Sequence, residues 1–242
     1  MTAGSHQQAR LLESVALNEE VRHYVFESLG ETAFVFEPGQ HVALLKTFDG
    51  CALKRYYSIA SPPNGTRRFE LCVNATRDTS AFGEYLRRMH PGEVLAYEGP
   101  AGTFRLNRPL RPSVFVAHGT GIAPLRSMIG YLLDNMENSG VDAPVTLIHG
   151  ARNPEWLLYE DEFLALEKQH ANFRYWPTLS RPGEDWPGRK GYVQAHLEAA
   201  LNGRAPGTDF YLCGCVAMVS EAHDILRQAG LDSSSVWYEQ YG

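Results

Sequence analysis

A six-residue turn with the sequence GTGIAP, at 119–124, has the residue types of a phosphate-binding site. It directly follows the apolar run VFVAH and opens a helical stretch. Glycines let a backbone approach a pyrophosphate closely, and the free amides at a helix start favour bound phosphate. Pro124 suits the first helical turn, where a missing N–H costs little. A plain strand-to-helix turn is the alternative, but the strand and the alternating elements around Gly119, Thr120 and Gly121 favour a nucleotide site.

Basic side chains follow the next two apolar runs. Arg152 comes after VTLIHG, and Ser180-Arg181 comes after FRYWPTL. In nucleotide-binding parallel sheets, an acid at such a position contacts a ribose 2'-hydroxyl, whereas an arginine accommodates a 2'-phosphate. None of these three residues is acidic. The pattern therefore favours NADPH over NADH, with a set of solvated arginines as the alternative.

The cysteines and histidines lack the spacing of a metal site. Cys51, Cys72, Cys213 and Cys215 form neither paired CxxC blocks nor an iron–sulfur loop, and the nine histidines form no HExxH pair. We therefore predict no metal in this chain, and any iron–sulfur centre must be on another protein. Cys213 lies near the end of the run DFYLCG, where a parallel sheet places ligands, and a small buried apolar residue is the alternative.

The elements that position these residues belong to two regions of the chain with different sequence periodicities. Up to about residue 107, short β-branched and aromatic runs alternate with turns, which predicts an antiparallel, Greek-key all-β barrel. Its predicted strands are RLLESVAL, RHYVFES, HVALLK, LKRYYSIAS and FELCVNA. From residue 113, five apolar runs alternate with helical stretches, the third of which spans 192–201. This alternation predicts a doubly wound α/β domain around a five-stranded parallel sheet. The prolines within 107–112 interrupt both patterns. We expect domains at 1–107 and 113–242.

Composition and charge exclude several classes of function. The 242 residues are 44% hydrophobic and 21% charged, as in globular proteins. Residues 1–112 carry 13 Lys and Arg against 12 Asp and Glu, and 113–242 carry 9 against 16, which is not the basic surplus of a nucleic-acid-binding protein. The start MTAGSHQQARLL does not look like a secretory signal, and no run is long enough to cross a bilayer. We expect a cytoplasmic protein with no nucleic-acid or membrane partner.

Several short motifs, in this order, resemble those of the ferredoxin–NADP reductase family in its compact form without a fused iron–sulfur domain. They are RYYS at 55–58, GPAGTF at 99–104, GTGIAP at 119–124, CysGly at 213–214 and a terminal Glu-x-Tyr at 239–241. The resemblance covers nearly the whole chain. It implies an FAD-binding barrel followed by an NAD(P)-binding domain.

The resemblance implies FAD contacts in the first half. Arg55 offers a fork of donors suited to a pyrophosphate, and Tyr57 shares its strand face and can pack on the flavin ring. Ser58 is expected to bond the flavin N5 that accepts the hydride. An ordinary strand with aromatic cross-strand pairs is the alternative for RYYS. Further expected contacts are the backbone of Cys72 and Val73 and the helix start at Ser80 and Gly83.

The helix start departs from the family pattern. The family commonly has Gly-x-x-Ser or Thr there, whereas this chain has Ser80-Ala81-Phe82-Gly83. Backbone amides can still hold a phosphate, and the side-chain donor would then be Ser80.

The resemblance also implies nicotinamide contacts. Cys213 is expected near the reacting carbon, with Gly214 beside it, and Glu239 in a hydrogen-bond network around Ser58. Tyr241 is expected to cover the flavin face that the nicotinamide later occupies, with a frayed edge strand as the alternative. The Ser180-Arg181 pair is expected to bind the 2'-phosphate, with Arg189 as a further member, although TLSRP followed by WPGRKGYV also resembles reductases that use NADH.

The function implied is hydride transfer from NADPH to FAD N5, followed by single-electron transfer to a small acidic carrier such as ferredoxin or flavodoxin. Arg67, Arg68, Arg87 and Arg88 are candidates for the docking face. Three alternatives stay open: an NADH-dependent reductase component of an oxygenase, a non-autonomous FAD electron-transfer subunit, and a flavin-free dehydrogenase.

Overall fold

A computed structural model describes residues 6–76, 80–139 and 143–241. The chain divides into two compact units, Met1–Arg105 and Leu106–Gly242, here called unit 1 and unit 2. The proline-containing stretch 107–112 belongs to unit 2.

The described part of unit 1 consists of six strands and one helix. They are β1 (Gln7–Ala16), β2 (Val21–Ser28), β3 (His41–Phe48), β4 (Cys51–Ser58), β5 (Arg68–Asn74), α1 (Ala81–Arg88) and β6 (Val94–Ala101). The strands form one sheet in the order β4-β3-β6-β1-β2-β5, and each adjacent pair is antiparallel. A bridge between Ile59 and Leu71 joins the two ends of the sheet. The predicted antiparallel barrel is confirmed.

Aromatic side chains fill the interior of this barrel. Phe34 lies on Phe69 with ring centroids 4.7 Å apart, and Phe26 stacks on the other side of Phe69 at 5.6 Å. The buried hydroxyl of Tyr97 lies 2.8 Å from Ser28 Oγ and 2.6 Å from Gln7 Oε1. The buried Tyr97 hydroxyl therefore has hydrogen-bond partners, as stability requires.

Strand β6 was not among the strands that the sequence predicted, because Gly99-Pro100 reads as a turn. The structure accommodates this proline where the pairing is irregular. β6 pairs with β1 only from Val94 to Tyr97, and its register with β3 shifts between His41 and Ala43. Pro100 therefore falls at a bulge, where its missing N–H costs no ladder bond.

Unit 2 alternates strands and helices. Its strands are β7 (Ser113–His118), β8 (Val145–Ala151), β9 (Phe173–Leu179), β10 (Arg189–Lys190), β11 (Asp209–Cys215) and β12 (Val236–Tyr241). Its α-helices are α2 (Ile122–Ser139), α3 (Glu160–Gln169), α4 (Leu197–Asn202) and α5 (Val216–Gln228), with short 3-10 turns at 119–121, 154–156, 193–196 and 233–235.

The strands of unit 2 form one parallel sheet in the order β10-β9-β8-β7-β11-β12. Helices cover both faces: Ile148 packs with residues of α4 and α5, whereas His149, on the opposite face of β8, contacts Phe163 of α3. The predicted doubly wound sheet is confirmed, and the two-residue strand β10 adds a sixth member at its edge. No described helix is both long and apolar enough to span a membrane.

The chain order creates a switch point in this sheet. From β7 the chain runs outward through β8, β9 and β10, then returns to β11 on the other side of β7. Ligands of doubly wound sheets bind at the carboxyl ends of strands beside such a point. A ligand-binding site of unit 2 is therefore expected at the carboxyl ends of β7 and β11.

Candidate functional site

In unit 1 the structure brings Arg55 to the start of a helix. Arg55 belongs to β4, and its Nη2 lies 3.4 Å from the Oγ of Ser80, which caps α1. The same Oγ accepts a hydrogen bond from Phe82 N at 3.2 Å. A guanidinium and the first-turn amides of α1 thus converge at one polar edge, the arrangement that a phosphate-bearing ligand needs.

The neighbouring predicted residues lie along the same strands. Tyr57 is half-buried against the barrel core, and Ser58, at the end of β4, is buried. Cys72 and Val73 are buried in β5, just beyond the Ile59–Leu71 bridge that ties β5 to the end of β4. Gly83 is buried in the first turn of α1.

In unit 2 the GTGIAP turn packs tightly on β11. Gly119 has a left-handed φ of +59°, with nothing within 4 Å of where a Cβ would be. A Cβ on Gly121, in contrast, would lie 2.3 Å from the carbonyl oxygen of Cys213. Only glycine lets the start of α2 approach the end of β11 this closely. Pro124 lies in the first turn of α2, as predicted, and the resulting cradle of backbone amides fits a pyrophosphate.

Cys213 is fully buried at the end of β11. Burial raises the pKa of its thiol, a rise that hydrogen bonding with Tyr241 opposes and the charge of Glu239 reinforces. The thiol is therefore neutral, which makes Cys213 a poor nucleophile. Any role at this position must come from its shape and place.

The last strand brings Glu239 and Tyr241 to the same region. Glu239 pairs with Cys213 and Tyr241 with Cys215 in the parallel ladder. The Tyr241 hydroxyl donates a hydrogen bond to Glu239 Oε2 at 2.9 Å. The prediction that the Tyr241 ring covers a flavin stays a prediction.

The two predicted phosphate-binding arginines of unit 2 lie side by side. Arg181 N donates to Arg152 O at 2.9 Å, and Ser180 N donates to Ala151 O at 3.0 Å. Both arginine side chains are exposed. The segments after β8 and β9 thus present two guanidinium groups from adjacent backbone positions.

Arg189 is held differently. Its guanidinium lies over the Trp176 ring, 4.1 Å from the centroid, and its carbonyl accepts a hydrogen bond from Trp186 Nε1 at 2.8 Å. The stacking on Trp176 therefore fixes the guanidinium of Arg189 at the edge of the sheet.

Sequence reasoning missed Tyr192. Its side chain is 71% exposed, and it follows Gly191, whose N–H donates to Leu179 O at 2.8 Å. This bond places the backbone of Tyr192 next to the segment of Ser180 and Arg181. The sequence predicts that Tyr192 begins a helix, and that pattern gives no sign of an exposed aromatic residue near the arginine pair.

The described histidines, cysteines and acidic residues do not form a metal-binding cluster. Among the described residues, no group of three or more His, Cys, Asp or Glu is placed to hold a metal ion.

Comparison with known proteins matches the two units to two different cofactor-binding domain families. Residues 8–106 match the oxidoreductase FAD-binding domain family, and residues 115–224 match the oxidoreductase NAD-binding domain family. Ferredoxin–NADP reductase B of Sorangium cellulosum is 40% identical over 97% of both chains. The reductase component of phenol 2-monooxygenase from Pseudomonas sp. strain CF600 is 33% identical over 85% of this chain, which spans 58% of that relative.

Solved structures show the same architecture. The cytochrome P450 reductase GcoB of Amycolatopsis superposes with a TM-score of 0.84 and 26% identity, over 98% of this chain and 71% of its own. A ferredoxin–NADP+ reductase of Neisseria gonorrhoeae superposes with a TM-score of 0.81 over 98% and 99% of the two chains; at 21% identity this likeness shows the fold.

Fold, sites and relatives together define a two-unit flavoenzyme, an oxidoreductase whose cofactors are FAD and NAD(P). The chain belongs to the ferredoxin–NADP reductase family. The predicted family, fold and cofactors are confirmed, and the flavin-free alternative is wrong because the FAD-binding match covers nearly all of unit 1.

Proposed function

We propose that the chain takes a hydride from NADPH onto FAD and passes single electrons to a separate carrier. When bound, FAD supplies the chemistry that accepts electrons as a pair and releases them one at a time. The observation that supports NADPH is the backbone contact that sets Arg152 beside Arg181 at the exposed carboxyl end of the sheet.

In unit 1 the protein's own part is to bind and orient the flavin. Arg55 and the α1 start capped by Ser80 would hold the pyrophosphate. Tyr57 would pack on the ring, Ser58 would place its hydroxyl at N5, and the backbone of Cys72, Val73 and Gly83 would complete the contacts.

In unit 2 the GTGIAP turn would hold the nucleotide pyrophosphate, and Cys213 with Gly214 would shape the space for the nicotinamide. Glu239 would orient the site through hydrogen bonds, and Tyr241 would occupy the nicotinamide position when it is empty. Tyr192 would offer its exposed ring to the adenine, since aromatic side chains stack well on bases.

The proposal for NADPH predicts a selective loss in Arg181→Ala. A 2'-phosphate would receive charge-assisted hydrogen bonds from Arg181, each contributing roughly 1.5–3 kcal/mol. The kcat/KM with NADPH should therefore fall about tenfold to a hundredfold, mainly through KM, because this phosphate is bound equally in ground and transition states. The kcat/KM with NADH should not change.

Arg174→Ala is the matched control, because Arg174 is exposed in β9, the strand that Arg181 follows, and bonds backbone carbonyls at the opposite end of that strand. Equal losses with both donors would assign Arg181 to the shape of the loop instead.

The second candidate is an NADH-dependent reductase component of an oxygenase. The 33% identity to the phenol 2-monooxygenase component supports it, as does the placement of the Arg189 guanidinium on Trp176. A wild-type preference for NADH would favour this reading. A flavin that no pyridine nucleotide reduces would favour a non-autonomous electron-transfer subunit.

The partner in either case is an electron carrier or an oxygenase component, and we propose an acidic one in the cytoplasm. The end of α1 supports this: Arg87 and Arg88 share a single acidic partner, Glu84, which leaves a surplus of positive charge. Arg68 is exposed, whereas Arg67 pairs with Glu27 at 3.4 Å.

Electrostatic docking predicts that carrier reduction slows with salt. Opposite charges steer encounter, and screening removes that advantage. The apparent association rate with a ferredoxin or flavodoxin should fall severalfold or more from low to physiological ionic strength, and Arg87→Ala/Arg88→Ala should flatten the dependence. Stopped-flow reduction measures both, and a rate indifferent to salt would contradict the docking face.

A further inference from the structure

His118 ends β7 at the switch point of the parallel sheet. It lies in register with Gly150 of β8. On the other side, the pairing of Ala117 with Cys213 places Gly214 next to it. The three central strands therefore present glycine, histidine and glycine in one row at their carboxyl ends.

The two glycines of this row leave no room for side chains of their own. A Cβ on Gly150 would lie 2.5 Å from Val193 Cγ1. A Cβ on Gly214 would lie 2.6 Å from Met218 Cε and 3.2 Å from the Cβ of His118. The 3-10 turn at 193–196 and helix α5 thus close over the glycines, and the imidazole is the side chain that stands between them.

The exposure of β7 changes abruptly at this residue. Its first five residues are buried and His118 is exposed. The next residue, Gly119, has the left-handed φ of +59° that begins the phosphate-binding turn. The imidazole therefore stands at the mouth of that turn and not in the core of the sheet.

We propose that His118 binds the pyrophosphate linker of the nicotinamide nucleotide, an inference that rests on the proposed function of unit 2. The turn supplies backbone amides to the linker, and an imidazole N–H adds a side-chain donor, positively charged when protonated. The linker is common to NADPH and NADH. His118 therefore strengthens binding of both nucleotides, in contrast to Arg181, which contacts a phosphate that only NADPH carries.

Binding by the FAD-loaded full chain tests this assignment. By isothermal titration, His118→Ala should weaken NADP+ and NAD+ alike by roughly threefold to tenfold, the size of one net hydrogen bond. Adenosine 2'-monophosphate, which lacks the linker, should bind as tightly as to the wild type. His118→Gln keeps an N–H donor and should recover most of the loss, and His90→Ala, an exposed histidine of unit 1, should change nothing.

Three outcomes would overturn the proposal. Unchanged NADP+ affinity in His118→Ala would show that the imidazole does not reach the linker. An equal loss for adenosine 2'-monophosphate, or no recovery in His118→Gln, would assign His118 to the shape of the turn. The titration uses no electron carrier, so the measured nucleotide affinities can be interpreted even if the proposed electron transfer proves wrong.

Discussion

The candidate phosphate-binding sites of the two units are built from different parts of the chain. In unit 1 the candidate site depends on side chains, because Arg55 of β4 reaches the Ser80 hydroxyl at the start of α1. In unit 2 it depends on backbone, because Gly121 brings the start of α2 against the carbonyl of Cys213. A side-chain site can lose one donor and keep its shape, whereas this backbone site must change shape when a Cβ is added at Gly121.

The interiors of the two units differ as well. The barrel of unit 1 buries the Tyr97 hydroxyl with two hydrogen-bond partners. Unit 2 buries His149 completely, and within the described residues its Nε2 has no hydrogen-bond partner. The contrast predicts that acid weakens unit 2 through a buried histidine, a group that the described residues of unit 1 do not include.

Gly121→Ala should have the largest effect. Its Cβ would meet the Cys213 carbonyl at 2.3 Å, so backbone must move, and a misplacement of about 1 Å can cost about a hundredfold in rate. We expect kcat/KM to fall at least that far with both NADPH and NADH, while flavin occupancy, measured by absorbance, stays at the wild-type level.

Gly119→Ala is the matched control for that clash. A Cβ there meets nothing within 4 Å, although the left-handed φ of +59° strains it by roughly 1–2 kcal/mol. Its loss should be about tenfold at most. Equal losses in the two variants would show that close packing against β11 is not what the turn requires.

Arg55→Ala should come next. Removing a guanidinium that binds a pyrophosphate loses roughly 1.5–3 kcal/mol for each charge-assisted bond, so FAD should dissociate about tenfold to a hundredfold more readily, as measured by flavin fluorescence on dilution. Arg10→Ala, which removes an exposed arginine from β1 of the same barrel, should purify with full flavin. Full occupancy and unchanged FAD affinity in Arg55→Ala would remove Arg55 from the site.

The sequence predicted the features that depend on local residue patterns and on the order of the strands along the chain. The alternation of runs predicted a parallel sheet, and parallel topology alone brings Arg152 beside Arg181. It did not predict β10, because two residues carry no periodicity, and the expected helix at 192–201 is a 3-10 turn followed by α4. Nor could spacing show that Arg189 lies on Trp176, because that contact joins side chains from two strands through tertiary packing.

Titration of His149 should give the smallest effect, a change in the free energy of unfolding with pH, and it tests the contrast between the interiors of the two units. Burial, together with the nearby His118, lowers the pKa of His149 to about 3, against about 6.5 in an unfolded chain. Between these values the unfolded chain binds more protons than the folded one, so stability rises with pH across the window and is lost as pH falls through it, by up to about 1.4 kcal/mol per unit. Chemical denaturation of the full chain at about pH 7 and about pH 5 measures that slope.

The variant His149→Leu should reduce the slope. The Tyr175 hydroxyl, 3.3 Å from His149 Nδ1, then loses this partner, and that loss lowers stability at every pH. The slope and not the absolute stability therefore decides the matter. His90→Gln in unit 1 should keep the wild-type slope, and a His149→Leu variant that also keeps it would show that the acid sensitivity arises elsewhere.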